Sequence, residues 1–130
     1  MSYDINVVRS KDKSRVRLRS KHGIQGGTYA IGGTDEAWLN ITYNYSEWFY
    51  KLWPERDDNN GGGIRSLYGR PIDEVIEELD RAIGILKGEP DEDYWAATEG
   101  NAREALFELK LLCELARHEN QGVELELYGD

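Results

Sequence analysis

Apolar and polar positions alternate along the first part of the chain and take up a helical period in the second. Ile5 and Val7 alternate with Asp4 and Asn6. Beyond the turn-like Ser10 to Ser14, the run Arg15-Val16-Arg17-Leu18-Arg19 alternates between charged and apolar side chains. Alternation sends successive side chains to opposite faces, so the pattern predicts a half-buried strand with its arginines in water. Gly26-Gly27 and Gly32-Gly33 bracket a short candidate strand, Thr28 to Ile31. Ala37 to Tyr45 (AWLNITYNY) is rich in aromatic and β-branched residues and predicts another strand. It would place Trp38, Asn40, Thr42 and Asn44 on one side and Leu39, Ile41, Tyr43 and Tyr45 on the other.

The period then changes. Ser46 is a candidate cap for a short helix through Trp53, which Pro54 stops. Arg56 to Gly63 (RDDNNGGG) is polar, glycine-rich and expected to be a loop. Pro71 suits a helix start, with Asp73 and Glu74 where the helix dipole favours acids. Ile72, Val75, Ile76, Leu79, Ile83 and Leu86 form one apolar stripe, ended by Gly88 and Pro90. After an acidic loop, Asp91 to Gly100, a second helix over about Asn101 to Arg117 collects Ala102, Ala105, Leu106, Leu109, Leu112, Cys113 and Ala116 on one face. Gly122 breaks it, and Val123 to Leu127 alternates as a final strand. The expected fold is one α+β domain over residues 1–130: an antiparallel sheet of three to five strands, closed by the carboxyl-terminal strand. Two main amphipathic helices cover one face, with a short aromatic helix beside them.

Composition changes this picture little. At 130 residues the chain buries about two thirds of its unfolded surface and needs no disulfide or metal staple. A lone Cys113 makes no internal disulfide, and no cysteine metal framework exists. No apolar run reaches the ~20 residues of a membrane span, and the amino terminus lacks the apolar core of a signal peptide, so a cytoplasmic protein with no membrane association is expected.

Charge is more informative. Sixteen basic and 25 acidic residues give a net charge of −9, which disfavours direct nucleic-acid binding. The distribution is uneven. Residues 1–30 carry seven basic against two acidic groups, a net of +5, and residues 91–130 carry three against eleven, a net of −8.

Three stretches are candidates for function. In Asn40 to Tyr50 (NITYNYSEWFY), the rings suit a recognition surface for a protein, a base or a sugar, although filling a small core is their commoner use. In Asn59 to Arg70, the glycines Gly62 and Gly63 let backbone amides approach a ligand. Arg65, Ser66 and Arg70 suit a phosphate or carboxylate, and Tyr68 suits a base. The stretch lacks the Gly-Lys-Ser/Thr of a P-loop, and a surface loop with a structural arginine is the plainer alternative. The acidic residues of the carboxyl-terminal half, Asp91, Glu92 and Asp93 among them, would complement a basic partner or simply solvate two helices. Catalytic chemistry has little support. His22 and His118 have no partner histidine at metal-ligand spacing, Cys113 lies on an apolar helix face, and no carboxylate pair is singled out by its setting. No metal and no cofactor is expected.

Three blocks, NITYNYSEWFY (Asn40 to Tyr50), GIRSLYGRP (Gly63 to Pro71) and DEDYWAATEGNAREAL (Asp91 to Leu106), resemble small acidic uncharacterised proteins of tailed bacteriophages. They fall in that order over about half the chain. The resemblance implies a phage or prophage origin and a place in the bacterial host cytoplasm, and it carries no activity. With it, the expected function is non-catalytic inhibition of a host bacterial protein, a defence component, through protein contacts. Trp48, Tyr50, Trp53 and Tyr94 would be anchors, and Asp91, Glu92 and Asp93 would steer the partner. The alternative is a receptor or sponge for a nucleotide-like small molecule, held by Gly62, Gly63, Arg65, Ser66, Tyr68 and Arg70. A phage assembly or structural factor is the third expectation.

Overall fold

The computed structural model describes residues 1–22, 34–56, 60–93 and 95–130. The candidate strand Thr28 to Ile31 and the candidate anchor Tyr94 lie outside the described residues. The fold is α+β. Strands β1 (Ser2–Arg9), β4 (Trp38–Thr42) and β5 (Leu125–Gly129) form an antiparallel sheet in the order β4-β1-β5. Strands β2 (Arg17–His22) and β3 (Thr34–Glu36) form a separate antiparallel pair. Helices α1 (Ser46–Leu52), α2 (Ile72–Ile85) and α3 (Glu99–Glu119) complete it, with two 3-10 turns at Tyr43–Tyr45 and Gly63–Leu67.

Alternation decides which face of the sheet meets the helices. Tyr3, Ile5 and Val7 of β1, Leu39 and Ile41 of β4, and Leu125 and Leu127 of β5 are buried in one core with the apolar stripes of α2 and α3. The two long helices pack against each other, pinned at their rims by Lys110 to Asp80 at 2.5 Å and Arg117 to Asp73 at 2.9 Å. The opposite face of the sheet carries Asp4, Asn6 and Val8. In cross-strand register, Asn6 stands between Trp38 and Tyr128.

Several boundaries differ from the sequence expectation. The strand expected to run to Tyr45 stops at Thr42, because the Thr42 hydroxyl accepts the Asn44 backbone N–H at 3.2 Å and turns the chain into the 3-10 turn. Ser46 does not cap α1; it is the first helical residue, and its hydroxyl is bonded to that of Tyr3 at 2.5 Å. Gly63, expected to close a loop, opens a 3-10 turn. Helix α3 begins at Glu99, where the Thr98 hydroxyl caps it by accepting the Asn101 N–H at 3.1 Å. The last strand is shifted two residues onward, since Gly122 at a positive φ and the Val123 N–H to Asn120 carbonyl bond prolong the turn.

Candidate functional site

The acidic loop between α2 and α3 is built around one buried amide. Asn101 is 2% exposed; its Oδ1 accepts the Asp91 N–H at 2.8 Å, and its Nδ2 donates to the carbonyls of Asp93 at 3.1 Å and Ala96 at 2.9 Å. The carboxylates add Asx turns: Asp91 accepts the Asp93 N–H at 2.9 Å and Asp93 accepts the Trp95 N–H at 3.1 Å. The chain before the loop is clamped to the first turn of α3. The Lys87 N–H donates to Glu99 at 2.8 Å, and a Cβ on Gly100 would overlap the Glu89 carbonyl oxygen.

Two side chains from the aromatic segment tie this loop to α1. The Asn44 amide donates to the Trp95 carbonyl at 2.8 Å, and the Trp48 indole N–H donates to the Ala97 carbonyl at 3.0 Å. Lys51 lies over the Trp48 ring at 4.3 Å. These bonds set half-buried Trp48 beside the loop that carries Trp95 (47% exposed) and the exposed side chains of Asp91, Glu92 and Asp93.

The predicted anchors separate. Trp48 joins the loop, but Tyr50, two residues on, points away from it around the helix, and its ring covers Gly63. Trp53 is only 4% exposed, a core residue whose indole N–H donates to Glu78 at 2.9 Å, so it offers no surface to a partner. The Glu78 carboxyl sits below the usual carboxylate range, held there first by the Arg81 guanidinium and then by that indole.

The predicted anion-binding stretch also comes apart. Gly62 backs onto the Glu55 backbone, the Gly63 N–H donates to the Trp53 carbonyl at 2.7 Å, and the buried Ser66 hydroxyl donates to the Gly63 carbonyl at 2.6 Å. These three residues close a structural clasp over the end of α1. Arg70 reaches Glu74 at 3.8 Å on the α2 rim. Arg65 and Tyr68 remain together in a groove of about 430 Å³ beside β5, joined by Asn60, Lys13, Glu126 and Tyr128. The Arg65 guanidinium lies over the rings of Tyr3 at 4.9 Å and Tyr43 at 5.7 Å and donates to the Tyr43 hydroxyl at 3.1 Å. Burial opposes its charge, yet that hydrogen bond and the surrounding hydroxyls hold its pKa above the ordinary arginine value. Burial pushes the Tyr68 hydroxyl up, and it donates to the Asp130 carbonyl at 3.2 Å.

A larger groove, of about 560 Å³, lies between the start of α2 and the turn after α3. Arg117 is the cation among its described lining residues, and it is taken by Asp73. Among the described residues no group of three or more His, Cys, Asp or Glu is placed to hold a metal, and no helix is long and apolar enough to cross a membrane. Sequence reasoning missed Asn101, Asn44 and Trp95 as parts of one group. The usable signal was Thr98-Glu99-Gly100-Asn101, where a cap residue is followed by two poor helix formers in the first turn. No family model, curated protein or solved structure matches the chain.

Proposed function

We propose that the protein is a phage-encoded binding protein that occupies a basic surface of a host protein, a component of a defence system, in the infected bacterial cytoplasm. The observation that carries this reading is the acidic and aromatic group of Asp91, Glu92, Asp93, Trp95 and Trp48, tied together by the hydrogen bonds of Asn101 and of the Trp48 indole. Pre-ordering of this kind removes much of the entropy cost of docking a loop. Exposed carboxylates steer a basic partner and raise its association rate, and an indole beside them supplies the apolar contact. The phage origin rests on the resemblance of the three sequence blocks, two of which, NITYNYSEWFY and DEDYWAATEGNAREAL, supply this group.

The test is affinity capture from infected cells. Wild-type protein is compared with Asp91→Lys/Glu92→Lys/Asp93→Lys/Trp95→Ala and with a control altered on α2, Glu77→Lys. The expected result is a host protein retained by the wild type and the control and lost by the loop variant, with an association rate that falls as salt rises. Identical capture by all three proteins would overturn the reading.

A further inference from the structure

Beside β5, two grooves meet at one exposed ring. The groove of Arg65, Asn60 and Tyr68 shares Lys13, Tyr128 and Gly129 with a second, polar groove of about 400 Å³, which Asp4, Asn6, Arg15 and Asp130 complete. Tyr128 is 54% exposed at the junction.

The acids of this region are already matched by protein donors. Glu126 is paired with Lys13 at 2.8 Å, Asp4 accepts from the Asn40 amide, and Asp130 accepts the Asp4 N–H at 3.4 Å. Among the described residues no carboxylate pairs with Arg65, whose hydrogen bond goes to the neutral Tyr43 hydroxyl, or with exposed Arg15. Arg65 is held in place by tyrosine rings, which leave it a full charge beside the groove. At the groove floor, Asn6 is 7% exposed, and its Oδ1 has no hydrogen-bond partner. A buried acceptor left unmatched is uncommon in folded proteins.

We propose that these joined grooves bind a nucleotide, with its base stacked on Tyr128 and its edge against the Asn6 amide at the groove floor, and its phosphate on Arg65, Arg15 lying at the rim. A planar face, edge N–H donors and an attached anion are together the chemistry of nucleoside phosphates. The site stands on the sheet, apart from the loop surface proposed for protein binding, so either can fail without the other.

Calorimetric titration of the purified chain with AMP, GMP, CMP and UMP, and with inorganic phosphate and the free nucleosides, tests it. At least one nucleotide is expected to bind saturably and about tenfold or more tighter than phosphate or its own nucleoside. Tyr128→Ala should weaken it at least about tenfold, the usual consequence of losing a stacked base partner. Arg65→Met should abolish the difference between nucleotide and nucleoside. Because Arg65 also packs on Tyr3 and Tyr43, Arg15→Ala, a change at an exposed side chain, is the second charge variant and should weaken binding without moving the melting temperature. No saturable binding of any nucleotide at about 1 mM would overturn the proposal. So would binding that Tyr128→Ala leaves unchanged.

Discussion

Replacing Asn101 with alanine should dismantle the acidic loop. The substitution deletes three hydrogen bonds at once, from the Asp91 N–H and to the Asp93 and Ala96 carbonyls. At about 1 kcal/mol net for each, the loss is about 3 kcal/mol. The loop lies at the surface, so water recovers part of this, and alanine improves the first turn of α3 by roughly 0.5 kcal/mol. The expected destabilisation is therefore about 2 kcal/mol. At roughly 3 to 4 °C for each kcal/mol in a chain of this size, the melting temperature should fall by about 6 to 8 °C. Urea unfolding followed by tryptophan fluorescence gives the free energy, and amide hydrogen exchange at Asp91 shows whether the loop has opened. Asn101→Asp keeps an acceptor for the Asp91 N–H but turns carboxylate oxygen toward two carbonyls, and should fall at least as far at neutral pH. A loss below about 0.5 kcal/mol with unchanged protection at Asp91 would refute the reasoning that this amide organises the loop.

Gly100→Ala should destabilise by about 1 to 3 kcal/mol, since the added Cβ meets the Glu89 carbonyl and the chain must shift; an unchanged urea midpoint would count against the close approach of that segment to α3. Glu78 has a depressed pKa in the folded protein, so it contributes stability above the ordinary carboxyl value of 4.5 and loses it as pH falls through the folded value. The stability gap between wild type and Glu78→Gln should accordingly be widest near neutral pH and shrink on acidification, as measured by urea unfolding across that range. Cys113 is completely buried and its thiol is pushed far up by burial, so a thiol reagent such as DTNB should label it only at the rate of unfolding; rapid labelling of the native protein would contradict the packing of α3. Leu109→Ala, at a fully buried site on α3, should cost about 2 to 5 kcal/mol by urea denaturation.

Local periodicity determined the elements that bury a regular stripe. Leu106, Leu109, Leu112 and Cys113 fall at helical spacing, Ile5 and Val7 at strand spacing, and burying those stripes is what makes α3 and β1 form. Periodicity fails where a side chain bonds the backbone nearby. Thr42 ends a strand that its neighbours Tyr43 and Tyr45 would continue by propensity, and Thr98 starts a helix three residues before Ala102, where the apolar pattern begins. The sequence also marked Trp48, the Asp91 to Asp93 run and Arg65 as chemically notable, because aromatic, acidic and cationic side chains declare their chemistry wherever they lie.

What they do depends on neighbours distant in the chain, which only the tertiary structure decides. Trp53 and Trp48 are equivalent by composition, yet the packing of α1 buries one against Glu78 and lays the other on the acidic loop. Arg65 and Arg70 lie five residues apart, and the 3-10 turn sends one to the sheet groove and the other to the rim of α2. The basic amino-terminal segment and the acidic carboxyl-terminal one, opposite ends by sequence, meet where Lys13 pairs with Glu126, because β1 and β5 are neighbours in the sheet. Local spacing specifies which face of an element is apolar, while strand order, which long-range pairing sets, decides which charges share a groove.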